Sequence, residues 1–349
     1  MAKDDFAIVI GIDTYPALRR LRAAVKDSGR FLEWLTSPEG GDVPPDNIRL
    51  IQSPSKNSAD PLATDTRPLQ GEVDQALRDF GVDNRQRIGR RLYFYFAGHG
   101  LGTTFEDVGM LMANATMTTL RSNIGLKDYR RFLHENGYFD EIIFILDCCR
   151  DPAISVGTGV PPFTYPPPPP APRPVEGFVI LAAEFGAKAF EQNQLTNGGT
   201  EPRGVLTDAL IDGLNGQAAN SKGEITAFSL RDYLLKSVPQ RAAPPLNQTP
   251  SINVLPTRDL VFCVAPVPMA DVRIIAEPGI GGELILCDGQ ANELARRAAA
   301  DAEETKASWV TSIPKNGRYS VSHTVSQFES VFDPRKMQEP YVYRFRIPN

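Results

Sequence analysis

Short hydrophobic runs alternate with helical patterns over residues 1–264. Runs such as FAIVIGI (6–12) and EIIFILD (141–147) are apolar almost without interruption, which is typical of strands covered on both faces of a parallel sheet. Between these runs, apolar residues recur every three or four positions, the period of an amphipathic helix. The pattern predicts strands at 6–12, 47–52, 91–100, 141–147, 177–183, 251–256 and 259–264, and helices at 18–35, 69–80, 126–137, 204–214 and 229–238. We therefore predict an α/β domain with a doubly wound, mostly parallel sheet and helices on both faces.

The pattern changes after residue 264. Four short segments, VRIIAE, ELILC, RYSVSH and YVYRFRIP, have the composition of β-strands. One stretch between them, ANELARRAAADAEETKA at 291–307, predicts an exposed helix. We expect residues 265–349 to form a small β-rich accessory domain, and the sequence does not define its role.

A proline-rich loop is predicted at 150–175, between the strands at 141–147 and 177–183. Its segment VPPFTYPPPPPAPRPV cannot join a sheet, because consecutive prolines favour an extended polyproline II path and lack backbone donors. Two interpretations remain open. The loop is either a semi-rigid surface connection, which we favour, or a docking site for a proline-recognising partner.

Composition excludes several classes of function. The net charge is −5, and no cluster of lysine and arginine stands out as a surface for nucleic acid or an anionic membrane. No apolar run reaches the length of a membrane span, and the N-terminal segment MAKDDFAIVIGIDTY carries acids where a signal peptide needs bases. We expect a cytoplasmic protein with no nucleic-acid or membrane partner. Four cysteines and three histidines, without metal-ligand spacing, indicate free thiols and no metal or other cofactor.

Candidate chemistry stands at the ends of two predicted strands. His99, flanked by glycines, stands at the end of the strand predicted at 91–100, and the adjacent Cys148 and Cys149 follow the strand at 141–147. The carboxyl ends of parallel strands share one edge of a sheet, where ligands usually bind. A single buried cysteine or histidine is usually structural, but a thiol near an imidazole is the arrangement of nucleophilic catalysis. At this point, either cysteine remains a candidate nucleophile.

These segments together resemble the caspase-like superfamily in its metacaspase and bacterial form. The resemblance rests on YFYFAGHG followed by IIFILDCCRD, where the family has "GHG" and "D-x-C". The opening IGIDTY with its following helix, the segment FVILAAEFGAKAFE ending in "A-x-E", and GVLTDALIDGL matching "G-x-x-T-x-A-L" agree in order and spacing. The resemblance covers about 6–264 and implies a caspase-like fold.

The family resemblance assigns roles to the candidate residues. It implies that Cys149 is the nucleophile of a Cys–His dyad, with His99 as general base and acid. It also implies that the backbone N–H groups of Gly100 and Cys149 form the oxyanion hole. Strand alternation agrees with separate roles for Cys148 and Cys149, because adjacent side chains on a strand point to opposite faces. No third catalytic residue and no cofactor are implied.

The resemblance also implies a substrate class. Asp27 and Asp147 match acids that line a pocket for a basic residue in metacaspase-type relatives, so protein substrates should be cut after arginine or lysine. Two carboxylates favour arginine, because its planar guanidinium binds them in bidentate fashion. The alternative is structural: Asp27 is then a first-turn helix acid, and Asp147 only fixes a loop.

Three classes of function follow from this resemblance and its alternatives. We favour a cysteine endopeptidase, regulated by an activating protein partner, in bacterial stress or antiviral defence, as in many relatives. The first alternative is a catalytically silent caspase-like scaffold that binds protein partners. Cleavage of a peptide that depends on Cys149 would exclude this alternative. A small-molecule enzyme on the same sheet is weaker, because no GxGxxG follows the first strand.

Overall fold

The computed structural model describes most of the chain. Outside the described residues lie 1, 57–59, 61–62, 64, 85, 164–173, 197–198, 221, 243–245, 255–257, 266–268, 289–292, 304–308, 316–318, 335–336 and 348–349. Most of the proline-rich segment is therefore outside the described residues. In the described part of the chain, no helix is both long and apolar enough to cross a membrane.

The helices lie close to their predicted positions. They are α1 Ala24–Thr36, α2 Gln70–Phe80, α3 Leu126–Asn136, α4 Val205–Asp212 and α5 Ala227–Arg241, with a π-helical turn at Gly213–Gln217. The strands of the first part of the chain are β1 Asp5–Gly11, β2 Ile48–Gln52, β3 Gly89–Ala97, β4 Gly100–Gly102, β5 Val108–Leu111, β6 Asn123–Gly125, β7 Phe139–Asp147, β8 Asp151–Pro152, β9 Glu176–Leu181, β10 Glu191–Thr196, β11 Gly199–Gly204, β12 Glu224–Thr226, β13 Ser251–Val254 and β14 Val261–Val264. The later strands are β15 Met269–Ala276, β16 Glu283–Asp288, β17 Glu293–Ala298, β18 Trp309–Pro314, β19 Tyr319–His323, β20 Glu329–Phe332 and β21 Val342–Phe345.

A six-stranded sheet forms the centre of the first part of the chain. Its strand order is β13-β9-β7-β3-β1-β2, and only β13 runs antiparallel to its neighbour. The two faces of β3 are both buried: Phe94 packs with residues of α2 and α3, while Tyr95 stacks on Phe31 of α1. The predicted mostly parallel sheet with helices on both faces is confirmed.

The register between β3 and β7 determines what reaches the carboxyl edge. Ala97 pairs with Asp147, the last residue of each strand. His99 and Cys149 each stand two residues beyond this pair. The chain segments that follow them pair as well, because Leu101 of β4 lies beside Asp151 of β8 in a small four-stranded sheet. The sequence pattern did not predict this second sheet, since its strands are only two to four residues long.

Two predicted elements need correction in the first part of the chain. The helix predicted at 18–35 begins at Ala24, because the backbone before it bonds elsewhere: the N–H groups of Arg22 and Ala23 donate to the Glu191 carboxylate. The segment 251–264 was expected to complete the sheet. Only β13 does so, and β14 lies outside the six-stranded sheet. A further unpredicted feature is the β10–β11 hairpin, in a stretch rich in turn-forming residues.

The chain divides into two compact units: residues 1–215 with 226–263, and residues 216–225 with 264–349. The second unit contains a three-stranded sheet, β18-β15-β21, and a four-stranded sheet, β17-β16-β19-β20. Their inner side chains form one hydrophobic cluster that includes Val272, Leu286 and Trp309. The β-rich character of this region agrees with the prediction, whereas the inclusion of 216–225 was not anticipated.

The helix predicted at 291–307 is wrong. Residues 293–298 form β17, an edge strand paired antiparallel with β16, and Ala299–Ala302 form a 3-10 turn. The alanine, arginine and glutamate of this segment have high helix propensity. Pairing with β16 satisfies the backbone of this mostly exposed strand, so tertiary context overrides propensity.

A buried ion cluster closes the opposite, amino-terminal edge of the sheet and leads to a stability prediction. Arg91, 1% exposed, donates to Glu141 at 2.6 Å, and Glu141 also accepts from Arg258 at 2.6 Å. We expect Glu141→Gln to lower the free energy of unfolding by about 3–5 kcal/mol, because it removes the carboxylate that pairs with the buried Arg91 guanidinium. Urea denaturation measures this loss.

The neighbouring residue provides the matched control. Asp140 makes an ion pair of the same length, 2.6 Å, with Arg87, but both side chains are about half exposed. Asp140→Asn should cost at most about 1 kcal/mol. Equal destabilisation by the two substitutions would contradict the role given to burial.

Candidate active site

His99 is held in one orientation and one tautomer. Its Nε2 lies 2.6 Å from the carbonyl oxygen of Arg19, and a carbonyl can only accept, so Nε2 carries the proton. Nδ1 is then the basic nitrogen of the neutral ring. The ring packs against Tyr15 with centroids 4.8 Å apart, and the Tyr15 hydroxyl accepts from the His99 backbone N–H at 2.9 Å. Burial lowers the pKa of His99, which favours this neutral form.

Cys149 is partly exposed, whereas Cys148 is buried. The Cys149 sulfur accepts a hydrogen bond from the Ala189 N–H at 3.3 Å. Burial raises the pKa of the Cys149 thiol, and the Ala189 N–H lowers it by a smaller amount. The backbone N–H of Cys149 has no acceptor within the described part of the chain. Cys149 therefore presents a protonated thiol and an available amide donor.

The glycines around His99 allow this close arrangement. A Cβ on Gly100 would lie 2.5 Å from the Cys148 sulfur and 2.7 Å from the Cys149 carbonyl oxygen. A Cβ on Gly98 would lie 2.6 Å from the Tyr15 hydroxyl oxygen. Contacts this short do not occur with real side chains, so both positions require glycine. The "GHG" pattern is thus explained by packing of the backbone against its neighbours.

His99 and Cys149 line one cleft of about 770 Å³ at the carboxyl edge of the sheet. Asp27 and Asp147 line the same cleft, at its floor, where they are 1% and 8% exposed. The structure therefore brings these four residues, which were predicted from the sequence, together in one site. Gly100 lines it as well.

Two residues of the segment GVLTDALIDGL hold the acids of the floor in place. The Gly204 N–H donates to Asp27 Oδ2 at 2.8 Å, and a Cβ on Gly204 would clash with both carboxylates. Thr207 donates to Asp147 Oδ2 twice, from its backbone N–H at 3.0 Å and its hydroxyl at 2.7 Å. The glycine and threonine of the "G-x-x-T-x-A-L" pattern thus position the acids, a role that was not predicted.

Burial raises the pKa of both carboxyl groups at the floor. For Asp27 the pKa is raised to about 7, because burial and the nearby Asp147 charge outweigh the opposing effect of Arg30, which forms an ion pair with Asp27. For Asp147, burial outweighs the two Thr207 hydrogen bonds, so its pKa is raised as well. At neutral pH and without a bound substrate cation, Asp27 and Asp147 are therefore not both fully ionised.

Glu191 is a cleft residue that sequence reasoning missed. Its carboxylate accepts from the backbone N–H groups of Arg22 and Ala23, at 2.9 and 2.8 Å, and so joins the segment before α1 to the start of the β10–β11 hairpin. The signal was present as the last residue of the "A-x-E" match. A side chain that positions two loops is not distinguishable in sequence from a surface acid.

Comparisons with known proteins show the family of this chain. A model of the family described as "Caspase domain" matches residues 4–261. A protein from a Desulfuromonadales bacterium named "Probable protease" is 31% identical over 274 residues, which are 70% of this chain and 32% of the relative, so this chain spans about a third of that protein's length. The crystal structure of caspase-1 from Spodoptera frugiperda covers 76% of this chain and 91% of its own, with a TM-score of 0.46 and 14% identity. By the match over residues 4–261, the chain belongs to the Caspase domain family of peptidases.

Proposed function

We propose that this chain is a cysteine endopeptidase that cuts proteins after arginine or lysine, with Cys149 as nucleophile and His99 as its base. The observation that carries the proposal is the register of β3 and β7, which puts both residues two positions beyond a directly paired strand end. Three features support it: the Cys149 thiol is partly exposed, the His99 Nε2 is occupied by the Arg19 carbonyl, and neither His99 Nδ1 nor the Cys149 N–H has a hydrogen-bond partner among the described residues.

The reaction follows from these groups. His99 Nδ1 takes the thiol proton as the Cys149 sulfur attacks the scissile carbonyl carbon. The N–H groups of Gly100 and Cys149 stabilise the oxyanion. The imidazolium then gives its proton to the leaving amine as the carbon–nitrogen bond breaks and a thioester remains. Water, deprotonated by His99, hydrolyses the thioester and restores the thiol.

Without substrate, the proposed dyad of Cys149 and His99 is neutral. Burial raises the pKa of Cys149 and lowers the pKa of His99, so thiol and imidazole are favoured over the charged pair. Proton transfer must therefore accompany substrate attack. Such a dyad suits a peptidase kept at low activity until a protein partner remodels the cleft. A role in bacterial stress or antiviral defence belongs to this proposal through the resemblance to regulated relatives.

The acids at the floor are proposed to bind the basic side chain before the cleaved bond. Asp147 Oδ2 accepts both Thr207 bonds, so Oδ1 is left for a substrate guanidinium or ammonium group. Asp27 is shared with Arg30 and Gly204, which makes it the weaker of the two contacts. A cation that enters the cleft stabilises both ionised carboxylates at once.

The first prediction separates the two cysteines. Cys149→Ala should reduce cleavage of fluorogenic arginine peptides on the order of a thousandfold or more, because it removes the attacking atom. Cys148→Ala is the matched control and should retain cleavage, since burial keeps the Cys148 thiol protonated and out of the cleft's chemistry. Undiminished turnover by Cys149→Ala would contradict the proposed nucleophile, whereas a wild-type protein without any turnover would support a silent scaffold.

The second prediction concerns the basic substrate side chain. Asp147→Asn should lower kcat/KM for arginine peptides at least tenfold, because a desolvated charge contact is worth about 2–5 kcal/mol. The rate at which Cys149 reacts with iodoacetamide should not fall, because the Asp147 charge raises the pKa of the Cys149 thiol and its removal can only favour the thiolate. Asp74→Asn, which alters a buried acid bonded to Tyr129 away from the cleft, is the control and should cut normally. A wild-type preference for aspartate peptides would refute the assignment.

The third prediction concerns pH. A carboxyl group whose pKa is about 7 is mostly protonated at pH 6 and ionised at pH 8, and only the ionised form attracts a cation. The kcat/KM for arginine peptides should therefore rise about tenfold between these values. Asp27→Asn removes this group and should flatten the rise near pH 7, leaving the fall at lower pH that comes from protonation of His99. An unchanged profile in Asp27→Asn would show that another group titrates.

A further inference from the structure

Four cationic side chains stand at the mouth of the cleft. Arg19, Arg20 and Arg22 come from the segment between β1 and α1, and Lys188 comes from the segment between β9 and β10. All four are exposed, and within the described part of the chain none forms an ion pair. Among the residues that the structure describes, their side chains make one hydrogen bond, from Arg20 to the Ser55 carbonyl at 3.4 Å. We call these four residues the basic rim.

The basic rim lies on both sides of the dyad. Arg19 offers its carbonyl to His99 Nε2 at 2.6 Å, so its side chain starts directly beside the imidazole. Lys188 precedes Ala189, whose N–H lies 3.3 Å from the Cys149 sulfur. A polypeptide that places its scissile bond between His99 and Cys149 must therefore pass between the segment of Arg19 and the segment of Lys188.

Acids of the same cleft offset the charge of the rim only in part. Asp27 and Asp147 are buried at the floor, while the Glu191 carboxylate accepts from backbone N–H groups, which are neutral and do not cancel its charge. Asp151 is the fourth acid that lines the cleft, so four rim cations face two acids outside the floor. The chain as a whole carries a net charge of −5, so this positive field is local to the mouth.

We propose that the cleft selects segments in which the basic residue at the cut is flanked by aspartate or glutamate. This inference rests on the proposed function and narrows its substrate class. Side chains of an extended peptide alternate in direction and advance about 3.3 Å per residue. The basic side chain can then reach the acidic floor while its neighbours point toward the rim. Segments with several consecutive lysines or arginines are disfavoured, although they offer more sites to cut.

Three fluorogenic peptides test the inference. Each contains one arginine, flanked on both sides by glutamate, glutamine or lysine. The order of kcat/KM should be glutamate, glutamine, lysine, with glutamate about fivefold above glutamine at low salt, the effect of one or two exposed charge pairs. The ratio should approach one at about 0.5 M salt, because the Debye length then falls to a few ångströms.

Matched variants assign the effect to the rim. The double variant Arg19→Gln, Lys188→Gln should bring the glutamate-to-glutamine ratio close to one. The control double variant Arg131→Gln, Lys236→Gln removes the same charge from exposed positions on α3 and α5 and should keep the wild-type ratio. An equal loss of the ratio in the control variant would overturn the inference, because net charge alone would then explain the preference.

Peptide binding to the Cys149→Ala variant, measured by fluorescence anisotropy, tests the preference for flanking acids separately from the preference for arginine at the cut. Tighter binding of the glutamate peptide than of the glutamine peptide supports the rim. Equal affinities overturn the inference but leave cleavage after arginine intact. If arginine peptides bind no better than matched peptides with glutamine at the central position, the proposed function fails as well, whatever residues flank the centre.

Discussion

The parallel pairing of β3 and β7 is the constraint on which the candidate site depends. Ala97 and Asp147 end their strands opposite each other, so the next residues of both strands emerge at the same edge. The segments that follow pair again in the small sheet of β4 and β8, which prevents the two chains from diverging. A shift of one residue between β3 and β7 would reverse which side chains face the cleft. Gly100 allows the segments to approach this closely, because a Cβ there would overlap the Cys148 sulfur.

The floor of the cleft depends on a second set of contacts that come from later in the chain. Asp27 begins near the start of α1 and Asp147 ends β7, yet both are held by residues at the start of α4. Gly204 is the last residue of the β10–β11 hairpin, and the first residue of the hairpin, Glu191, holds the segment before α1. The hairpin is therefore connected at both ends to the walls of the cleft. Any partner that moved this hairpin would alter the floor and the basic rim together.

Sequence reasoning recovered the parts of the fold that repeat a strong local pattern. The strands of the main sheet and all five helices were predicted, because continuous apolar runs and three-to-four spacing are set by burial. The small sheet of β4, β5, β6 and β8 was missed, because strands this short have no period. The prediction of a helix at 291–307 was wrong for the opposite reason, because the helix propensity of this segment is strong and its pairing with β16 overrides that propensity. At the site, His99, Cys149, Asp27 and Asp147 were identified by resemblance. Gly204, Thr207 and Glu191 stood in the same motifs, but their contacts cross 60 to 177 residues of sequence.

Burial affects four titratable groups of the cleft, those of Cys149, His99, Asp27 and Asp147, in the same sense. It raises the pKa of Cys149 and of both floor acids, and it lowers the pKa of His99. Each shift favours the neutral form, because a low dielectric disfavours an isolated charge. In the function that we propose, a bound basic side chain changes this balance at the floor, where it supplies the charge that two ionised carboxylates require. In the same proposal, peptide attack changes the balance between Cys149 and His99, because the oxyanion and the imidazolium form together beside amide donors. On this proposal the charges inside the cleft arise with the substrate, and the exposed cations of the basic rim are the charges that a substrate meets first.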